Sequence, residues 1–355
     1  MEDKYTAICL LFTLHDIIGY DMRTWSGSKT HEIRIYFEYI SKFIELGGIS
    51  GYDISSLYFS QYTYYFRSFS NYLLKSYDKY GLDFDKIKQG KKKYDDYILN
   101  DIKHNIVRNE YSVFFSFVDD NNKSKKSNID EGVKPSYKSL FICVPFALKF
   151  YLEKDLDKLI ETTITISKKL NDSAIEFLGG FVSAWFITLG LRGILIDKWM
   201  SLLLPLLESD KIKKYIGDSD NEQQEYLAFV RNWNIYYDTR FNNNKPIRTF
   251  ATTNLTFRIK YFDETFRNKS TNIFGETSYY SLIIHYDSLL SCDGNWERFL
   301  YYSTIHHVWH ATAFAGALFG SVYAFNGVPE HFKNTIEQKD KIIKLSKKMF
   351  DTFTK

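Results

Sequence analysis

Cysteine and proline are scarce in this chain, with 3 and 5 copies among 355 residues. Cys9, Cys143 and Cys292 are odd in number, far apart and set in apolar runs. That excludes a disulfide framework or a CxxC metal site and predicts buried free thiols in a reducing compartment. A charge excess is also missing: 46 basic and 43 acidic residues give a net charge of +3, which implies no polyanion partner. The lysines at 86, 88, 91, 92 and 93 sit beside Asp95 and Asp96, so they read as a solvated helix end rather than a nucleic-acid site. The N-terminal apolar run Ala7–Phe12 is short, follows mixed charges and lacks a small-residue cleavage site before His15, so no secretory signal is expected. Long apolar runs are confined to Phe177–Ile196, which carries Arg192 as its sole charge. Its length allows a membrane span. Its four glycines and the lack of a second such segment favour the central helix of a helical domain, and no membrane span is expected.

What is abundant is aromatic side chains and helical periodicity. Hydrophobic residues are 45% and charged residues 25%, ordinary for a globular chain, but 30 Phe, 28 Tyr and 6 Trp raise aromatics to 18%. With the abundant Ile, Lys and Asn, this composition reads as AT-biased coding rather than an aromatic binding surface. Periodicity predicts helices over 1–18 (ended by Gly19), 33–46 (ended by Gly47 and Gly48), 60–77, 94–118, 137–151, 154–169 and 176–190. Further helices are expected over 196–208, 222–239, 281–291, 296–304, 309–325 and 331–353, the last with Ile336, Ile343 and Phe350 at heptad spacing. Polar loops are expected near 119–136 and 241–247, the second containing Asn242, Asn243 and Asn244. The stretch 247–278 is β-leaning but too irregular to predict a sheet. There is no solenoid repeat. The expected architecture is all-α, an orthogonal multi-helix bundle in one compact domain over 1–355.

Several segments, in order, resemble the ADP-ribosylglycohydrolase family, and in particular its arginine-specific ADP-ribosylhydrolase branch. Lys4–Ala7 through Leu14–Tyr20 resembles the opening helix and its GDALGY turn. Ser60-Gln61-Tyr62-Thr63 falls where the family has SDDT, Phe146–Phe150 where it has IGLRF, and Leu178–Ala184 where it has LGALASA. Tyr286–Leu290 resembles YDAVL, Trp296-Glu297-Arg298 follows at the family's offset, and Ala315–Val328 is similar to the last core helix and exit loop. The resemblance implies the helical bundle named above. In active members it implies two magnesium ions held by the SDDT carboxylates and threonine, together with the aspartates and threonine of a late GDSDST motif. Hard cations need several anionic oxygens converging on one point, and they then promote scission of the ADP-ribosyl bond.

In this chain those oxygens are replaced. The first motif reads Ser60, Gln61, Tyr62, Thr63, and the late one, counted back from Ala315, places His307 and Trp309 at the aspartates and Ala311 at the threonine. Without cations an unpaired acid cluster in a cleft is costly, which favours its replacement. Tyr62 and Trp309 are expected to fill the vacated space, adding apolar burial of ~2 kcal/mol each. Positions 61, 62, 307 and 309 are expected to meet in one pocket. The ligand-contacting stretches also depart: Pro135–Ile142 replaces GGCGAAMR, Asn171–Ile175 replaces THxHP and Ser278–Leu282 replaces GHDAP. Asp16, Gly19, Tyr20, Ser60, Thr63 and Asp287 are retained, and capping and packing suffice to explain them.

Two features imitate a site. Gly217-Asp218-Ser219-Asp220-Asn221 copies GDSDS about ninety positions too early and reads as a helix N-cap. His306, His307 and His310, with His15, offer imidazoles near the implied cleft. The adjacent His306 and His307 cannot face one point on a helix, so core or cleft histidines are favoured over a transition-metal centre. The residual cleft candidates are therefore His15, Asp16, His306 and His310. The expectation is a pseudoenzyme without catalytic residues, metal or cofactor, the magnesium pair being absent and ADP-ribose binding not expected. Its role would be structural, with protein partners in a cytoskeletal or organellar assembly, inside the cell in the cytoplasm or on the cytoskeleton. The alternatives are a metal-independent ADP-ribose reader and a hydrolase with a rebuilt histidine–metal centre.

Overall fold

A computed structural model describes residues 1–22, 33–80, 138–170, 173–266, 278–304, 306 and 311–354. The expected helix over 94–118 and the polar loop near 119–136 lie outside the described residues. In chain order the helices are α1 (Glu2–Met22), α2 (Ile33–Glu45), α3 (Gly48–Gly51), α4 (Gln61–Tyr80), α5 (Lys138–Ile142) and α6 (Val144–Phe150). Then come α7 (Asp157–Leu170), α8 (Ala174–Leu191), α9 (Trp199–Leu207), α10 (Asp210–Lys213) and α11 (Asp220–Arg240). A hairpin of β1 (Phe241–Asn242) and β2 (Lys245–Pro246) leads to α12 (Phe250–Thr253), α13 (Leu255–Phe266), α14 (Ser278–Ser291) and α15 (Trp296–Thr304). The chain continues through α16 (Thr312–Tyr323), α17 (Glu330–Thr335) and α18 (Lys339–Phe353). The fold is all-α, as the periodicity predicts.

The core is organised by one central helix and one helix crossing. α8 is buried along its length and packs against α5, α6, α7, α11, α14 and α16. Among the described residues it is the one helix long and apolar enough to cross a membrane, and its apolar surface faces these neighbours. Small residues set the distance of approach: a Cβ at Gly180 would lie 2.4 Å from Ser167 Oγ and 3.2 Å from Cys143 Sγ. The second organiser is the crossing of α1 with α16. A Cβ on Gly316 would sit 1.9 Å from the Leu11 carbonyl oxygen, so the two backbones touch where only glycine fits. The three cysteines are buried free thiols, as expected.

Several boundaries differ from the sequence reading, each for a local reason. Gly19 lies inside α1 rather than ending it, because the buried face continues through Ile18 to Met22. The expected helix at 137–151 is split at Cys143, where Pro145 opens α6 in the first turn that tolerates a missing N–H. The expected 331–353 helix is two helices, parted at Gln338, which has φ of 55°. The polar loop at 241–247 is a tight hairpin in which Asn243 (φ 49°) and Asn244 (φ 59°) take left-handed turn positions. The described part of the β-leaning stretch, up to Phe266, carries α12 and α13. Asn254 Oδ1 accepts the Phe257 N–H at 3.2 Å to start α13, and Arg258, Ile259, Phe262 and Phe266 form its buried stripe. The GDSDS look-alike is an N-cap: Ser219 Oγ accepts the Glu222 N–H at 3.3 Å, and Asp220 begins α11.

Candidate functional site

The first motif, Ser60–Thr63, forms the N-terminal turn of α4, where free N–H groups need acceptors. Ser60 Oγ accepts the Tyr62 N–H at 3.1 Å. The Ser60 and Thr63 donors are met from a distant helix. Asp16 of α1, 1% exposed, accepts the Ser60 hydroxyl at 2.6 Å and N–H at 2.9 Å, and the Thr63 hydroxyl at 2.7 Å and N–H at 3.2 Å. Burial pushes the Asp16 carboxyl up, the four hydrogen bonds oppose it, and the balance near 6 keeps the group ionised at neutral pH. A buried carboxylate at a helix N-terminus also meets the positive end of the helix dipole. The retained residues Asp16, Ser60 and Thr63 thus form one capping unit, in which both Asp16 oxygens are occupied by this chain's own donors.

Between them, Gln61 and Tyr62 stand at the two positions where the resemblance places carboxylates, and both are half-buried. The Tyr62 ring packs on Phe141 with centroids 4.7 Å apart. Ala311 is fully buried at the start of α16 and brings no side-chain cap. His307, Trp309 and His310 lie outside the described residues, so the expected meeting of positions 61, 62, 307 and 309 lies there too. His306 is fully buried with its ring edge-on to Phe262 at 5.1 Å.

His15, next to Asp16 on α1, has a different set of neighbours. Its ring lies 6.0 Å from Trp296 and 5.6 Å from Phe299, fully buried, and neither nitrogen has a hydrogen-bond partner among the described residues. Burial, and then the nearby His285 imidazole, lower its pKa to about 3. His285 is likewise lowered to about 3 by burial, partly opposed by the adjacent Ser303 carbonyl, which its ring approaches without hydrogen-bond geometry. Both are neutral rings in an aromatic setting.

A buried ionic centre, which the sequence reading missed, lies around Asp287, 0% exposed on α14. Arg240 Nε donates to one oxygen at 2.7 Å, Tyr236 donates to the same oxygen at 2.8 Å, and Arg258 donates to the other. Burial alone would raise the Asp287 pKa, but the two guanidinium charges outweigh it and hold it near 2. The available signal was Arg258, a lone charge within the apolar stripe of α13.

The described donors do not fit a pair of magnesium ions. Gln61 and Tyr62 bring no anionic oxygen, and Asp16 is fully engaged in capping. Among the described residues no three His, Cys, Asp or Glu side chains come together. Hard divalent cations require several such oxygens.

Comparison with known proteins agrees with the motif order. An ADP-ribosylhydrolase of Dictyostelium discoideum is 26% identical over 230 residues, 59% of this chain and 58% of that protein. A protein of Acanthamoeba polyphaga mimivirus, named for ADP-ribosyl glycohydrolase, is 31% identical over 156 residues, 42% of this chain and 30% of that protein. A solved structure described as an ADP-ribosylglycohydrolase-related protein complex superposes with a TM-score of 0.58 at 12% identity. It covers 99% of this chain and 98% of its own. This chain is a homologue of the ADP-ribosylglycohydrolases. No family model matches it. The matched regions span less than two thirds of either relative's length. Within this ADP-ribosylglycohydrolase fold, the α4 turn keeps the family's serine and threonine and differs at the two positions between them.

Proposed function

We propose that this chain is a pseudoenzyme of the ADP-ribosylglycohydrolase fold, without magnesium-dependent hydrolysis, whose helical body acts as a protein-interaction module. The observation that carries the reading is the α4 turn. Gln61 and Tyr62 occupy the positions of the metal-binding acids, while Ser60 and Thr63 are committed to Asp16. Asp16 does for the start of α4 what needs no ion, so the scaffold holds its shape by its own hydrogen bonds. The partners proposed are proteins of an intracellular assembly, cytoskeletal or organellar. The assembly half of the proposal follows the fold neighbour, which is described as a protein complex.

The test is a turnover assay of the full chain on an ADP-ribosylated arginine substrate with magnesium in excess. The expected result is release of ADP-ribose at the uncatalysed rate. Release that depends on magnesium and on enzyme concentration overturns the reading. Thermal unfolding gives a second readout, since an ion held by the folded state raises its stability by mass action. The midpoint is expected to be the same in magnesium and in chelator.

A further inference from the structure

The ionic centre around Asp287 opens onto a cavity of about 250 Å³ between the β1–β2 hairpin, α12 and the end of α14. Arg240, Arg248, Thr249, Ser291 and Asp293 are among its walls. We propose that this cavity is a binding site for a small phosphate-type oxyanion, separate from the α4 turn and independent of whether the chain hydrolyses ADP-ribose.

Charge is the first argument. Arg240, Arg248 and Asp293 line the cavity, and the ion pairs they belong to join Arg240 and Arg258 to Asp287, and Arg248 and Arg298 to Asp293. Four guanidinium groups thus share two carboxylates. On the inner side the imbalance is desolvated: Arg240 is 5% and Arg258 2% exposed, against a single acid. Buried charge without a counter-charge is costly, and an anion entering the cavity supplies one.

Donor geometry is the second. Arg240 makes three hydrogen bonds, to Asp287, to the Ile247 carbonyl at 3.0 Å and to Ser291 Oγ at 3.3 Å. A guanidinium has five N–H donors, so two have no partner among the described residues, on a buried side chain that lines the cavity. Arg248, more than half exposed at the rim, is tied among the described residues only to Asp293. Guanidinium groups bind phosphate oxygens in paired, charge-assisted hydrogen bonds, and a dianion offers them more than a carboxylate does.

Size is the third. Pockets for drug-sized ligands run from about 300 to 1,000 Å³, so this cavity suits phosphate or pyrophosphate rather than a whole nucleotide. Asp293 then acts as an internal competitor, a rim carboxylate held by Arg248 and by Arg298 at 3.2 Å. It has φ of 51°, a conformation that asparagine also adopts readily.

The experiment is calorimetric titration of the full chain with inorganic phosphate and pyrophosphate at constant ionic strength, with sodium chloride and succinate as controls. Saturable binding of one or both phosphates is expected, and none of chloride or succinate. Arg248→Ala, at an exposed position, should weaken binding at least tenfold without changing the thermal midpoint. Asp293→Asn should tighten it several-fold by removing the competing acid. Absence of saturable phosphate binding, equal binding of succinate, indifference to Arg248→Ala, or weakening by Asp293→Asn would each overturn the proposal.

Discussion

Asp16 and Thr63 meet across two helices, the α1 carboxylate taking the Thr63 hydroxyl at 2.7 Å and its N–H at 3.2 Å. With Ser60 this makes the start of α4 a tertiary cap, whose acceptor lies 47 residues away in sequence.

Removing the acceptor should therefore be expensive. Asp16→Ala strands the buried Ser60 and Thr63 donors, each with a desolvation cost of about 1–3 kcal/mol. A loss of about 3 kcal/mol in urea unfolding is expected, with Asp16→Asn milder because an amide oxygen still accepts. A change under 1 kcal/mol for Asp16→Ala would show that the cap contributes little.

The α1–α16 crossing makes a steric prediction. Gly316→Ala puts a methyl group 1.9 Å from the Leu11 carbonyl oxygen, and the neighbour is backbone that cannot turn aside. Overpacking of this kind costs about 1–3 kcal/mol. Equal thermal midpoints for the variant and the parent would mean that the two backbones do not touch at this point.

Acid should destabilise the fold through His15 and His285. Unfolded imidazoles titrate near 6.5 and the folded ones near 3, so the unfolded chain binds more protons between these values and stability rises with pH across that window. Asp16 works the other way. Its folded value near 6 exceeds the ordinary 3.8, so its contribution favours the fold at low pH and is lost as pH rises through 6. Two histidines outweigh one aspartate. His285→Phe should flatten the pH dependence by up to about 1.4 kcal/mol per pH unit, and an unchanged profile would assign the acid sensitivity elsewhere.

The ionic centre predicts an order of severity. Asp287→Ala leaves two buried guanidinium groups without their acid and should cost about 3–5 kcal/mol. Arg258→Met leaves the balanced Asp287–Arg240 pair and should cost less. The reverse order in denaturant unfolding would mean that packing of Arg258 on Tyr302, 4.2 Å from its ring centroid, matters more than its charge.

Helical periodicity was enough to find α1, α8, α11, α15 and α16, although the end of α1 lies beyond the glycine expected to close it. It did not find α12 and α13, because β-branched and aromatic residues in 252–266 mask the Asn254 cap and a stripe completed by an arginine. The split at Gln338 was invisible for another reason: Ile336, Ile343 and Phe350 keep heptad spacing across it, since both pieces bury them or rest them on one core. At the candidate site, the replaced acids at 61 and 62 were readable letter by letter. The Asp16 cap and the Asp287–Arg240–Arg258 centre were not, because each joins residues separated by dozens of positions, and only the fold brings them together.

The buried thiols offer a way to watch this molecule open. Burial pushes the Cys143 thiol up to about 12 and Cys292 to about 11, and it raises Cys9 as well, so none forms thiolate readily at neutral pH. An alkylating reagent can reach each only when its own neighbourhood breathes: α1 for Cys9, the α5–α6 break for Cys143, the end of α14 for Cys292. The order in which the three acquire label would rank these regions by the free energy of local opening, with no substitution needed.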